Sequence, residues 1–426
     1  MKKIFLLAAL PLLLAFAACA GRDDGKYTTI AISNASTFLT EAVTLFNEMN
    51  PDTPVRLNVF SARNVTDEAA RIERFVNYIS TAFMGGHADD IIVLNNLPFL
   101  NYFDMLTDLA PLIAESDIIQ EDDFFINLFD ALKSDGRQFV IPLDFNISVI
   151  AFHDEFVHYF DISDGISLME VNTIGLSILN EVGAGRNIGL HRFDAFPMFF
   201  NTVHSDFNRY IDIVGRQSRI NDDSFVAMLE MYRYLEQRRF IPSMEDFMEG
   251  FVFDETVVHL TDITDIRVLV QEYEPFVSPT AVSGTDGEVH FTSHIILGMN
   301  NMSQNKETAW AFIEFLLSET MQKSLTLPAL PVNRQAFRDS SFLMIENYLQ
   351  MLMDGGMPMV GSAEDFANMY IVKVEEITDM VSHFRYFEPI ITNILLDVGW
   401  DFFFGTQTAR YTADVMHNRV SLYLSE

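Results

Sequence analysis

Carboxylates are the most plentiful reactive groups in this 426-residue chain, which carries 60 Asp and Glu. Glu121-Asp122-Asp123 and Asp222-Asp223 could in principle supply the acid and base of a glycosidase. In so acidic a chain, however, such clusters also arise as solvated faces or helix starts. The ten His residues are scattered. His153 and His158 stand five apart, off the i, i+4 spacing that places two metal ligands on one helical face. There is no Gly-x-Ser-x-Gly elbow, no phosphate-cradling Walker loop, no Gly-x-Gly-x-x-Gly and no His-Glu-x-x-His. An EF-hand loop is missing too. These residues point to a protein that is not an enzyme, with no metal and no cofactor.

Cys19 is the only cysteine. Ahead of it stand Met1-Lys2-Lys3, an apolar run from Ile4 to Phe16, and the small pair Ala17-Ala18. A basic start, an apolar stretch and small residues before a cut form a secretory leader. At about 15 apolar residues the run is short of the roughly 20 that a spanning helix needs. A cysteine at the cut resembles the lipobox of bacterial lipoproteins, which implies a signal peptide over 1–18 and a lipid on Cys19. Several acyl chains on one residue anchor a protein stably. The residues alone leave open an ordinary signal peptide, or a short anchor with an incidental cysteine. The lipobox reading puts the rest of the chain outside the cytoplasm, anchored to the cell membrane behind a tether over 20–26. With no cysteine left for disulfides, a large apolar core must hold the fold. A composition that is 49% hydrophobic, with 39 Phe, permits one.

The formal charge is −33. Removing Lys2 and Lys3 with the leader leaves 25 basic residues against 60 acidic. Such a surface repels nucleic acid and anionic headgroups, so no nucleic-acid partner is expected. It is either a solubilising exterior or a bias toward neutral or cationic ligands, and charge alone does not decide.

The elements that would position a site follow from periodicity. Tyr27–Ser33 reads as a strand. Phe38, Ala42, Leu45, Phe46 and Met49 then keep helical spacing, with Ser36 or Thr37 to cap them. Val55–Phe60 is a second strand and Asp67–Met84 a second amphipathic helix, stopped by Gly85-Gly86. Ile91–Leu94 is a continuous apolar run, the mark of a buried parallel strand. This β-α-β-α-β order argues for a doubly wound α/β lobe. Phe139–Phe145 and Ile147–Phe152 look like paired strands around Pro142. Leu168–Leu179, Asp223–Arg239, Lys306–Ser318 and Thr408–Leu424 read as helices, and about 400 residues suggest two domains or two lobes.

Four segments carry a resemblance. Gly86-His87-Ala88-Asp89-Asp90-Ile91-Ile92-Val93 is followed by Asp104-Met105-Leu106-Thr107-Asp108-Leu109. Asp135-Gly136-Arg137-Gln138-Phe139-Val140-Ile141-Pro142 is the second. Asn305-Lys306-Glu307-Thr308-Ala309-Trp310-Ala311-Phe312 leads on to Leu330-Pro331-Val332-Asn333, and the fourth is the end, Asn418 to Glu426. In this order, behind a lipobox, the chain resembles the extracellular solute-binding proteins of ABC importers, in the family that handles sugars. The resemblance implies a type II periplasmic-binding-protein fold, α/β, with two doubly wound lobes joined by a multi-crossing hinge. One lobe would hold 27–145 plus 298–328, the other 146–290 plus 334–426. Crossings would fall near 144–147, 292–297 and 328–333.

It also implies a monomeric receptor that delivers a carbohydrate to permease subunits by hinge closure. A sensory binding protein and an extracytoplasmic glycan-active enzyme are the alternatives. Ligands of open α/β sheets sit beyond the carboxyl ends of strands. Within the implied fold that rule selects Asn34, Asn95, Asn96, Asp144, Asn146, His191 and Arg192. The family's pattern places Thr261 and Asp262 at the cleft, although residues 251–262 lack its glycines and Met. Amides and charged groups suit hydroxyls. Trp400 is a candidate aromatic platform, with Phe193, Phe196 and Tyr210 as substitutes, whereas Trp310 reads as core.

Overall fold

The computed structural model describes residues 27–425 apart from 61–67, 95–98, 163–164, 184–185, 214, 244, 247–248, 251, 273–278, 356–361 and 386–387. Cys19, Asn95 and Asn96 lie outside the described residues.

The first lobe is built as its periodicity predicts. Strand β1 (Thr28–Ile32) leads into helix α1 (Thr37–Met49), whose Phe38, Leu39, Ala42 and Phe46 are buried at helical spacing. Ser36 caps it, its Oγ accepting from the Leu39 N–H at 3.2 Å. Then come β2 (Val55–Val59), α2 (Glu68–Met84) and β3 (Ile91–Val93). Strands β2 and β3 flank β1 in parallel.

The next two strands depart from the sequence reading. β4 (Val140–Pro142) and β5 (Asp144–Phe152) do not pair with each other. β4 completes the first sheet by pairing with β9 (Ile296–Met299), which also lies antiparallel to β3. β5 opens a second sheet instead. Two apolar runs parted by one residue look like a hairpin, but here the chain steps between sheets at Leu143–Asp144.

The second sheet centres on β5. It runs antiparallel to β6 (Val258–Ile263), β7 (Thr280–Ser283) and β8 (Val289–Thr292). β10 (Leu330–Pro331) pairs with the start of β5, and β11 (Val381–Phe384) runs parallel to β8. The chain thus passes between the sheets at three adjoining places, the others being 293–295 and around 330.

Side chains along β5 alternate between faces, as a pleated strand requires. Phe145, Ile147, Val149 and Ala151 belong to one apolar cluster, which continues into the first lobe. Ile150 and Phe152 belong to another, with α3 (Leu168–Val182), α4 (Ala195–Ser205), α5 (Asp223–Gln237), α9 (Pro389–Phe403) and α10 (Ala409–Ser425).

Helices α6 (Lys306–Leu317), α7 (Arg334–Asp354) and α8 (Ala363–Asp379) join the first cluster through Phe312, Phe337, Ile345, Val374 and Ile377. Phe125 makes edge-on contacts with both Phe145 (5.3 Å) and Phe337 (5.6 Å). Asn127 donates its amide to the Thr378 and Val381 carbonyls. The apolar core therefore runs unbroken across position 334. At another place the two lobes touch directly, where α2 packs against α9.

Candidate functional site

Three polar side chains project from one face of β5: Asp144, Asn146 and Ser148. Four residues at about 3.3 Å each put the ends of this ladder roughly 13 Å apart. Each rung is tied to a different crossing or strand.

Asp144 is completely buried. Its Oδ1 accepts from Ser293 Oγ (2.7 Å), the His294 N–H (2.8 Å) and the Ile295 N–H (3.1 Å). Burial pushes its carboxyl pKa up, opposed by the His294 imidazole, whose Nδ1 lies 3.6 Å from Oδ2. Asn146, half-buried, accepts from the Thr292 hydroxyl. These two rungs tie the crossings together.

The third rung opens a cavity in the second lobe. Ser148 donates to Asp262 on β6 and accepts from Arg385 Nη2 at 3.1 Å. Arg385 follows β11, where its N–H donates to the Phe291 carbonyl at 2.8 Å. Its Nη2 also reaches Ser205 Oγ on α4 at 3.4 Å. Arg385 is only 6% exposed. Burial pulls its pKa down and the nearby Asp262 opposes that. The cavity, about 110 Å³, is bordered by Arg385, Asp262, Asn201, Thr261 and Phe193 above a floor of Leu168, Leu260 and Val282.

The first lobe presents a second hollow beyond the carboxyl end of β1, where the strand-end rule puts a ligand. It measures about 330 Å³, with Ser33, Asn34, Ser36, Thr37, His294 and Thr326 around it. A neighbouring hollow shares Ser36 and Thr37 and continues along α1 past Glu41. Glu41 accepts from Ser324 Oγ (3.0 Å) and Thr326 Oγ1 (2.6 Å), fixing that edge. His294 belongs to this hollow and to the Asp144 rung, so the ladder links the two walls.

Of the residues selected from sequence, Asn34 borders the hollow of the first lobe, and Thr261 and Asp262 border the cavity of the second lobe. Asp144 and Asn146 stand between them. Asp144, however, has no exposed surface, and its visible work is holding the crossing. His191 departs further from expectation. It is completely buried, with Nδ1 3.1 Å from the Phe193 carbonyl, and burial lowers its pKa to about 3. Its ring is enclosed beside the Phe193 carbonyl and presents no surface to a solute. Arg192 next to it is exposed and borders neither hollow.

Trp400 is 50% exposed, 4.2 Å from the Phe404 ring and edge-on to Phe196 at 5.8 Å, and does not border the cavity. Phe196 and Tyr210 are core residues, whereas Phe193 is 40% exposed at the mouth. Sequence reasoning missed Ser148, Asn201, Ser205 and Arg385. The only local signal for Arg385 was a basic residue at the end of the alternating stretch 381–384. Among the described residues, no group of His, Asp and Glu is placed to hold a metal.

No protein-family model and no curated protein sequence matches this chain. Solved structures do. The sugar-binding protein MalE from Xanthomonas citri is similar over 94% of this chain and 97% of its own, with a TM-score of 0.61 and 16% identity. An extracellular solute-binding protein family 1 structure from Alicyclobacillus acidocaldarius matches at 0.60 and 14% identity, covering 94% and 98%. An ABC substrate-binding protein from Listeria monocytogenes, in complex with cycloalternan, matches at 0.55 and 16%, covering 94% and 99%. The chain has the two-lobed α/β fold of these type II periplasmic binding proteins. All three are named as binding proteins. Among the described residues, no helix is long and apolar enough to cross a membrane.

Proposed function

We propose that this protein is an extracytoplasmic receptor that captures a small solute between its lobes, a mono- or oligosaccharide, and passes it to an ABC permease. The observation that carries this reading is the polar ladder of β5, which joins a hydroxyl- and amide-lined hollow in one lobe to an Arg- and Asp-bearing cavity in the other. Amide, hydroxyl, carboxylate and guanidinium groups together offer the mixed donors and acceptors that sugar hydroxyls need. The similar structures support the class of solute, since they include a sugar-binding protein and a cycloalternan complex.

The receptor performs no chemistry in this reading, and closure about the crossings is its working step. The solute shifts the open–closed balance by its preference for the closed form. The lobes divide near the three crossings, and the protein works as a monomer. A lipid on Cys19 holds it at the membrane surface, and residues 20–26 serve as the tether.

Titration of the purified protein with saccharides in a calorimeter tests the reading. Saturable binding of a mono- or oligosaccharide is expected. Binding of none, alongside binding of a peptide or polyamine, would overturn the carbohydrate assignment.

A further inference from the structure

The cavity in the second lobe has a chemical peculiarity that the fold does not require. Arg385 is a buried guanidinium whose side-chain partners are two hydroxyls, Ser148 and Ser205. Its Nε is enclosed without a partner, and its Nη1 makes no hydrogen bond to the described residues. Burying a cation is costly unless acceptors surround it. The nearest compensating charge, Asp262, is bonded through Ser148 rather than directly.

The cavity wall thus carries one positive and one negative group, net zero, on opposite sides of a single serine hydroxyl. Asn201 adds an amide with both a donor and an acceptor, and makes no hydrogen bond to the described residues. Phe193 leaves an apolar face at the mouth, and Leu168, Leu260 and Val282 close the floor.

We infer that this cavity is the specificity pocket for one end unit of a neutral saccharide. Resting on the receptor reading above, the inference narrows its solute class. Two neighbouring hydroxyls fit the wall: one accepts from Arg385 or the Asn201 amide, the other donates to Asp262. Phe193 covers the C–H side of the ring. At about 110 Å³ the cavity takes one end of the solute and leaves the rest to the gap between the lobes. A uronic acid that gives its carboxylate to Arg385 brings it within reach of Asp262, and an amino sugar that gives its ammonium to Asp262 brings it within reach of Arg385. Each pays for a like-charge contact in a half-buried setting, so the pocket selects against both. The strongly acidic exterior plays no part in that choice.

The test is calorimetric titration of the whole protein with neutral di- and trisaccharides of glucose, galactose and xylose, and with their uronic-acid and amino-sugar counterparts. The best neutral sugar is expected to bind at least about tenfold tighter than its charged counterparts, the worth of one hydrogen bond to a charged group. Asn201→Ala at the rim should weaken that binding about tenfold with the melting temperature preserved, and Asp262→Asn should weaken it about as much while lowering the melting temperature, since it takes away the nearest charge that offsets Arg385. Arg385→Gln should weaken it further, and the other two variants keep the test decisive where this one fails to fold. Tighter binding of a uronic acid or an amino sugar would overturn the inference. Unchanged neutral-sugar affinity in both Asn201→Ala and Asp262→Asn would also overturn it while leaving the receptor reading intact. Binding of no saccharide at all by the unaltered protein would remove both.

Discussion

Ser293 donates its hydroxyl to Asp144 at 2.7 Å, joining two stretches of chain 149 residues apart. Asp144 opens β5 and Ser293 leaves β8, so this one bond fastens two of the passages between the sheets. The same carboxylate oxygen takes the His294 and Ile295 N–H groups, the second of which it shares with the Ser293 hydroxyl oxygen at 3.3 Å. Asp144→Ala would take away the acceptor shared by the Ser293 hydroxyl and the His294 and Ile295 N–H groups. It is expected to cost about 3 kcal/mol, read from the urea midpoint. Asp144→Asn keeps one acceptor and should cost less. Equal midpoints for all three proteins would show that the crossing does not depend on this carboxylate.

The continuous core predicts coupling between the lobes. Phe337 contacts Phe125 and Phe145, residues on either side of the first crossing. Phe337→Ala should destabilise the protein by about 3–5 kcal/mol, as large-to-small changes in aromatic cores do. Fluorescence and far-ultraviolet dichroism should lose their signals together in urea. A transition that affects only one probe would mean that the α7–α8 segment folds apart from the rest.

Three histidines are held neutral in the folded protein. Burial lowers His191 to about 3, and burial together with Arg385 lowers His290 to about 4 and His204 well below its usual value. In the unfolded chain they take up protons below about pH 6.5. Their contribution is therefore complete above that pH and is lost on acidification, by about 1.4 kcal/mol per pH unit for each. Glu236, pushed up to about 7 mainly by burial, works in the opposite sense. His191→Asn keeps a donor for the Phe193 carbonyl, and should make the stability profile between pH 6 and 4 shallower by one proton. An unaltered slope would contradict the buried neutral assignment.

Asn34 tests the first wall. It follows β1 and borders the hollow with Ser33 and Ser36, but takes no part in capping α1. Asn34→Ala is expected to weaken saccharide binding about tenfold, with the melting temperature within a degree or so of the parent. Undiminished affinity would exclude this wall from the site.

Closure about the crossings, as proposed, predicts a change of overall dimensions on binding. Small-angle scattering should show the solute-free protein as more extended, contracting when a saccharide saturates it. A profile indifferent to a bound solute would argue against closure as the working step.

Much of the first lobe was legible in the sequence because its signals are local. Phe38, Ala42 and Phe46 announce a helix by spacing alone, and Ser36 marks its start. The pairing of β4 and β5 was not legible. Val140–Pro142 and Asp144–Phe152 look adjacent, yet their partners lie more than 100 residues away, and no local pattern records a step between sheets. The site divides in the same manner. The rule about strand ends selected both Asn34, which borders a hollow, and His191, which is enclosed beside the Phe193 carbonyl. Arg385 and Ser148 gain their meaning from each other across 237 residues, a relationship no spacing encodes. Asp144 was selected at a crossing, and there its carboxylate gathers the N–H groups of residues 294 and 295.

Thermal melting of the purified protein across a panel of neutral saccharides, polyamines, oligopeptides and organic acids tests the receptor account most directly. A ligand at a hundredfold excess over its dissociation constant stabilises the folded state by about 2.7 kcal/mol. The account predicts that one or more neutral saccharides raise the melting temperature, and that Asp262→Asn diminishes the rise. A rise with polyamines or peptides and none with any saccharide would contradict it.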